Sequence, residues 1–133
     1  MTEITDFKIL AEKRVNLLSG QNGERIIEYF EIDKASEKSI NVFWERIEEL
    51  VDGNPFHFIV DLSQAEPPNA AIRAAVHERW NRVSDICVST QAIVKNNILL
   101  KIAAKFVMSS IGVKNFRTAK NFEEAKQHIY SKN

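Results

Sequence analysis

The sequence predicts an α/β fold: a mixed β-sheet, antiparallel at its N-terminal side and parallel beyond, covered by about four helices. Three observations predict it. Short segments rich in β-branched and aromatic residues open the chain around the turn Gly20-Gln21-Asn22-Gly23. From Ser36 onward the apolar residues recur at helical spacing. After that, strand-like and helix-like segments alternate as βαβαβα, an order that calls for a parallel sheet joined by right-handed crossovers.

Each element has its own signal. "FKILAE", "RVNLLSG" and "GERIIEYFEI" read as the strands of an antiparallel meander. Alternation is clearest in the last, and glycine and asparagine in the Gly20–Gly23 turn accept positive φ. Ile40, Phe43, Trp44, Ile47, Leu50 and Val51 form one helical face, with Gly53 as a stop just beyond. "PFHFIVDL" is a continuous apolar run, as expected of a strand buried on both faces. The next helix carries Ile72, Val76, Trp80 and Val83 on one stripe and reads as running toward Cys87.

"QAIVK" is a short strand, and a helix from about Ile98 to Ser110 follows it. The spacing turns Ile98, Leu99, Ile102, Ala103, Phe106 and Val107 of that helix inward. Gly112 ends it and "VKNFRT" is the last strand. Asn121 with Glu124 resembles a capping box, opening a final helix that buries Phe122, Ala125 and Ile129. No repeat, linker or low-complexity tract divides the 133 residues, so the expectation is a single domain, 1–133, large enough to bury a core.

Composition excludes several functions. Hydrophobic residues make up 44% and charged ones 27%, as in an ordinary globular protein rather than a disordered or membrane chain. Eighteen basic and eighteen acidic residues cancel, and a nucleic-acid binder would carry a basic excess. Cys87 is alone, which rules out a disulfide framework and reads as a buried structural thiol. "MTEITDFKIL" has no signal-peptide pattern, and "ILLKIAAKFVM" is too short and too charged to span a bilayer. A cytoplasmic, non-transmembrane protein is expected.

"FIVDLSQAEPPNAAI", "AIVKNNILLKIAAKF" and "VKNFRTAKNFEEAKQHI", in the order three strands, helix, βαβαβα, resemble the STAS family. The similarity is to its SpoIIAA-like branch, also described as STAS/SEC14-like, and it covers most of the chain beyond Ser36. The resemblance implies a bacterial regulatory module. In phosphorylated members, the loop after the central strand ends Asp-Ser-Ser-Gly at a helix start, where free N–H groups and the dipole suit a phosphate on one serine. The matching positions here are Asn69, Ala70 and Ala71. Neither alanine has a hydroxyl, so that switch cannot operate there. Ser63 reads as a turn-closing side chain. Ser109-Ser110 lie at a helix C-terminus, where the dipole opposes a phosphate.

Enzyme constellations are missing. His77 and Glu78 start a zinc-helix pattern, but position 81 is Asn. His57 lies inside the buried strand and His128 on the exposed side of the last helix, so no metal site is expected. Asp61 and Glu66 could act as acid and base. The structural alternative is that Asp61 receives N–H bonds from its loop and Glu66 caps a helix starting at Pro67 or Pro68. No Gly-rich phosphate loop occurs, so neither catalysis nor a cofactor is expected.

Binding remains. Arg73, His77, Arg79, Asn81, Arg82, Lys101 and Lys105 read mostly as solvated faces. Open α/β sheets place function outside the carboxyl ends of their parallel strands, where Asp61–Asn69, Lys95–Asn97 and Arg117–Asn121 should meet. The candidate surface is therefore Asp61, Ser63, Glu66, Asn69, Arg73, Lys95 and Asn96, facing a protein partner. The alternative, suggested by the SEC14-like relation, is a small-molecule or lipid ligand in a cavity of about a few hundred Å³ lined by Phe106 and Val107. An uncovered strand at the edge of the meander would suit a homodimer.

Overall fold

A computed structural model of the chain describes residues 3–131. Its order is α1 (Glu3–Arg14), β1 (Val15–Ser19), β2 (Arg25–Phe30), α2 (Glu37–Val51), β3 (Phe56–Asp61), α3 (Ala70–Trp80), β4 (Cys87–Ile93), α4 (Ile98–Ser110), β5 (Phe116–Ala119) and α5 (Phe122–Tyr130). The five strands lie side by side in chain order. β1 and β2 are antiparallel, and β2 through β5 are parallel. The α/β class and the mixed sheet are as the sequence predicts, with five α-helices among the described residues rather than about four.

The opening meander is a two-stranded hairpin. "FKILAE" is helical, part of α1, not a strand. Its Glu, Lys, Ala, Leu and Arg are strong helix formers, and acidic residues fill its first turn while Lys13 and Arg14 fill its last, matching the helix dipole. Phe7 and Ala11 face α2: Ala11 is buried, and the Phe7 ring meets Phe43 edge-on at 6.3 Å. The β1–β2 turn forms where expected, with Gly23 at φ +83 and its N–H donating to the Gly20 carbonyl.

Strand alternation divides the core in two. Ile27 and Tyr29 of β2, Phe58 and Val60 of β3, and Ala92 of β4 face the layer built by α1 to α4. Ile26, Ile59, Ile93 and Ala119 face the other way, toward Ala125 and Ile129 of α5. The burial of β3 on both faces, at Phe56 and at Phe58 to Val60, explains its apolar run. Ser36 caps α2 with a reciprocal pair, Ser39 N–H to Ser36 Oγ at 3.1 Å and Ser36 N–H to Ser39 Oγ at 2.8 Å. Asp52 and Gly53 end it in the left-handed region.

Other boundaries move. α3 stops at Trp80 instead of continuing toward Cys87, and one turn of 3-10 helix, Ser84–Ile86, leads into β4. β4 begins at Cys87, four residues before "QAIVK". His128 is half-buried rather than exposed, its Nδ1 hydrogen-bonded to Gln91 Oε1 at 2.8 Å across the α5–sheet contact. Burial, followed by the nearby Arg117 charge, lowers its pKa. Among the described residues, no helix is long and apolar enough to cross a membrane.

Candidate functional site

An apolar opening into the protein lies between the sheet and helices α2, α3 and α4. Tyr29, Phe58, Val60 and Thr90 form its floor, Ile40 and Trp44 one wall, and Ile72, Val76 and Trp80 another. Leu100, Ala103, Ala104, Val107 and Met108 of α4 form the roof, and Leu62, Glu66, Pro67 and Pro68 also line it. Space open to the centre of a water molecule amounts to about 90 Å³, and space between atoms, mouth included, to about 810 Å³. A single water needs roughly 10–15 Å³ by the first measure, so several heavy atoms fit without any side chain moving.

Local sequence explains why the space stays open. The aromatic rings around it are stiff: Trp44 and Phe58 lie 5.7 Å apart, Trp44 meets Trp80 edge-on at 6.3 Å, and Phe58 stacks on Trp80 at 6.3 Å. On the α4 side the cavity is lined in part by Ala103 and Ala104, whose side chains are single methyl groups. Large rings on one side and small residues on the other leave a gap.

Few polar groups enter it. Glu31 lines one end, accepting a hydrogen bond from Tyr29 Oη at 2.6 Å and from Ile32 N–H at 2.9 Å. Burial pushes the Glu31 carboxyl above its ordinary range, with these hydrogen bonds pulling the other way. Burial also raises the Tyr29 phenol well above its usual value. The buried indole N–H of Trp80 has no acceptor in the structure. Trp80 and Thr90 also line a separate polar recess of about 120 Å³ by the first measure, with Ser84, Asp85, Ser89, Lys114 and Asn115 around it. Cys87 borders that recess, and burial pushes its thiol up to about 11. A thiol so protonated is a poor nucleophile.

The residues singled out from the sequence fall in different places. Asp61 Oδ1 accepts from Ser63 N–H at 2.8 Å and from Ser63 Oγ at 2.6 Å, closing a turn on itself. Asn69, not Glu66, caps α3: Ile72 N–H donates to Asn69 Oδ1 at 2.9 Å, and the helix starts at Ala70 rather than at either proline. Asn wins because the extended backbone at Asn69 points its short side chain at the free N–H groups. Glu66 lies beside the apolar cavity with Pro67 and Pro68. Arg73 donates to the Pro68 carbonyl at 2.9 Å, and its guanidinium sits 5.6 Å above the Phe106 ring.

Lys95 and Asn96 belong to a third recess, with Asn97, Lys101, Thr118, Lys120 and Glu124. Two of the three expected polar loops, 95–97 and 117–121, therefore share a recess, while the 61–69 loop edges the apolar cavity. His57 Nδ1 pairs with Ser89 Oγ at 2.7 Å. Among the described residues, no three His, Cys, Asp or Glu side chains converge as metal ligands would.

The roof corrects the sequence reading of α4. Ile98, Leu99, Ile102 and Phe106 do not face inward; they are 73%, 79%, 60% and 62% exposed. The inward face is Leu100, Ala103, Ala104, Val107 and Met108. Val107 lines the cavity as expected and Phe106 does not. With apolar residues on nearly every side of α4, spacing alone fits two faces equally well. Trp44, Phe58 and Trp80 carried no sign of a cavity, since core aromatics look the same whether or not a gap adjoins them. No protein-family model matches this chain, and no curated protein matches it, so the functional reading rests on this geometry.

Proposed function

We propose that the protein binds one small apolar or amphiphilic molecule, such as a fatty acid or another lipid fragment, in the cavity under α4. The observation that carries this reading is the unfilled apolar space between the Trp44–Phe58–Trp80 rings and the alanines of α4. Pockets of this kind, mostly apolar with a few polar groups, are the ordinary form of a small-molecule site. Buried ligand surface contributes about 25 cal/mol per Å² before association costs. Glu66, Pro67 and Pro68 line the cavity, so the predicted loop forms part of the proposed ligand site.

Titration with a straight-chain fatty acid, read by tryptophan emission, tests it. Trp44 and Trp80 both line the cavity, so the signal should change and saturate at one ligand per chain. Ala103→Phe fills the space and should weaken binding at least about tenfold while leaving the circular dichroism spectrum unchanged. An unsaturable response, or equal binding by Ala103→Phe, contradicts the reading.

The STAS resemblance supports a second reading, a non-catalytic module in bacterial regulation whose protein partner meets α3 and the 61–69 loop. The exposure of Asn69, Ala70 and Ala71 at the start of α3 favours it. Without a hydroxyl at 69–71, such docking would be constitutive. Mass spectrometry after incubation with cellular kinases checks this: residues 61–71 should stay unmodified, and stoichiometric phosphate on Ser63 contradicts it.

A further inference from the structure

The outer face of α4 has no covering within the described chain. Ile98, Leu99, Ile102 and Phe106 stand there as one exposed stripe, on the side of the helix opposite the cavity roof. Cations flank the stripe on both sides. Lys101 and Lys105, both exposed, lie along one edge of the same helix, and Arg73 of α3 lies over Phe106 at the other. At the N-terminal end, Ile98 and Lys101 also line the recess of about 340 Å³ that holds Lys95 and Lys120. Its one carboxylate, Glu124, sits 3.9 Å from His128 Nε2. α4 itself contains no acidic residue.

We propose that α4 docks this protein on a bilayer surface that contains anionic lipids. The stripe enters the boundary between headgroups and acyl chains, and Lys95, Lys101, Lys105 and Arg73 meet lipid phosphates. An apolar helical face bordered by lysines is the pattern of helices that lie in the membrane interface, and each such cation adds attraction to an anionic leaflet. A second copy fits the surface less well. A two-fold contact would bring two sets of the same cations together with no carboxylate on α4 to pair them. The helix that docks is also the cavity roof, so contact with lipid would act directly on access to the site. That last link rests on the cavity reading; docking itself does not.

Flotation with vesicles of phosphatidylcholine, with and without roughly one third phosphatidylglycerol, tests the proposal. The protein should float with the anionic vesicles, stay behind with the neutral ones, and be released by high salt. Ile102→Glu with Phe106→Glu should lower vesicle binding at least about tenfold. Neither residue lines the cavity, so this variant should bind the fatty acid as the wild type does. Docking and cargo binding can therefore fail independently. Lys101→Glu with Lys105→Glu should lose binding to anionic vesicles by a similar factor. The proposal is overturned if the wild type does not float with anionic vesicles at low salt, or if the Glu variants float equally. It is overturned too if sedimentation shows a dimer that the Ile102/Phe106 variant dissociates, which would assign the stripe to a second copy.

Discussion

Asn69 immediately precedes Ala70 and Ala71, the positions where the family resemblance places regulatory hydroxyls, and its side chain is engaged in holding α3. Replacing it with alanine removes the acceptor for Ile72 N–H. Asn69→Ala should cost about 1 kcal/mol in urea unfolding, with fatty-acid affinity unchanged, because Asn69 caps the helix without lining the cavity. Asp61 and Ser63 are similarly engaged, each satisfying the other. Their turn was legible in the sequence, since Asp-x-Ser after a strand is ready to hydrogen-bond its own backbone. From the sequence, Glu66 reads as the cap of a helix starting at Pro67 or Pro68, because the two prolines leave the start of the helix open. Only the backbone angles at Asn69 decide it.

At the scale of elements, strong periodicity was reliable and short or uniformly apolar segments were not. α2 and β3 lie where spacing and the unbroken apolar run put them. α1 reads as a strand in the sequence because its apolar face is narrow, and five or six residues of mixed character fit a strand as well as a helix. The sequence places α4 along the chain but not its rotation about its axis, because apolar residues on both faces remove the contrast that fixes orientation. α5 is the reverse case: only nine residues long, it covers the second face of the sheet incompletely. Glu28 of β2 is half-buried on that face, and burial together with the nearby Asp61 raises its carboxyl above the ordinary 4.5. The folded chain thus binds this proton more tightly than the unfolded chain. Its contribution to stability is present below pH 4.5 and lost as pH rises through the folded value. Glu28→Gln should therefore be more stable than the wild type at neutral pH, with the advantage shrinking toward pH 4.5 in urea titrations across pH. A constant difference would mean that Glu28 acts through packing rather than charge.

For the molecule as a whole, the arrangement is lopsided. Four helices crowd one face of the sheet and one short helix serves the other. The crowded face is also where packing is incomplete, because rigid rings oppose the alanines of α4. Fold class could be inferred from the alternation of elements, since a few spacing rules restrict the topologies open to βαβαβα. The cavity could not, since it depends on side-chain volumes meeting across elements far apart in sequence, which no local pattern records.

Methyl-detected NMR during addition of a medium-chain fatty acid tests the central claim most directly. Saturable shifts should appear at Ala103, Ala104, Val76, Leu62 and Met108, which line the cavity, while Ala125 and Ile129 under α5 stay in place. Shifts confined to Ile98, Leu99 and Ile102 on the outer face of α4, or none at all, would contradict a ligand inside.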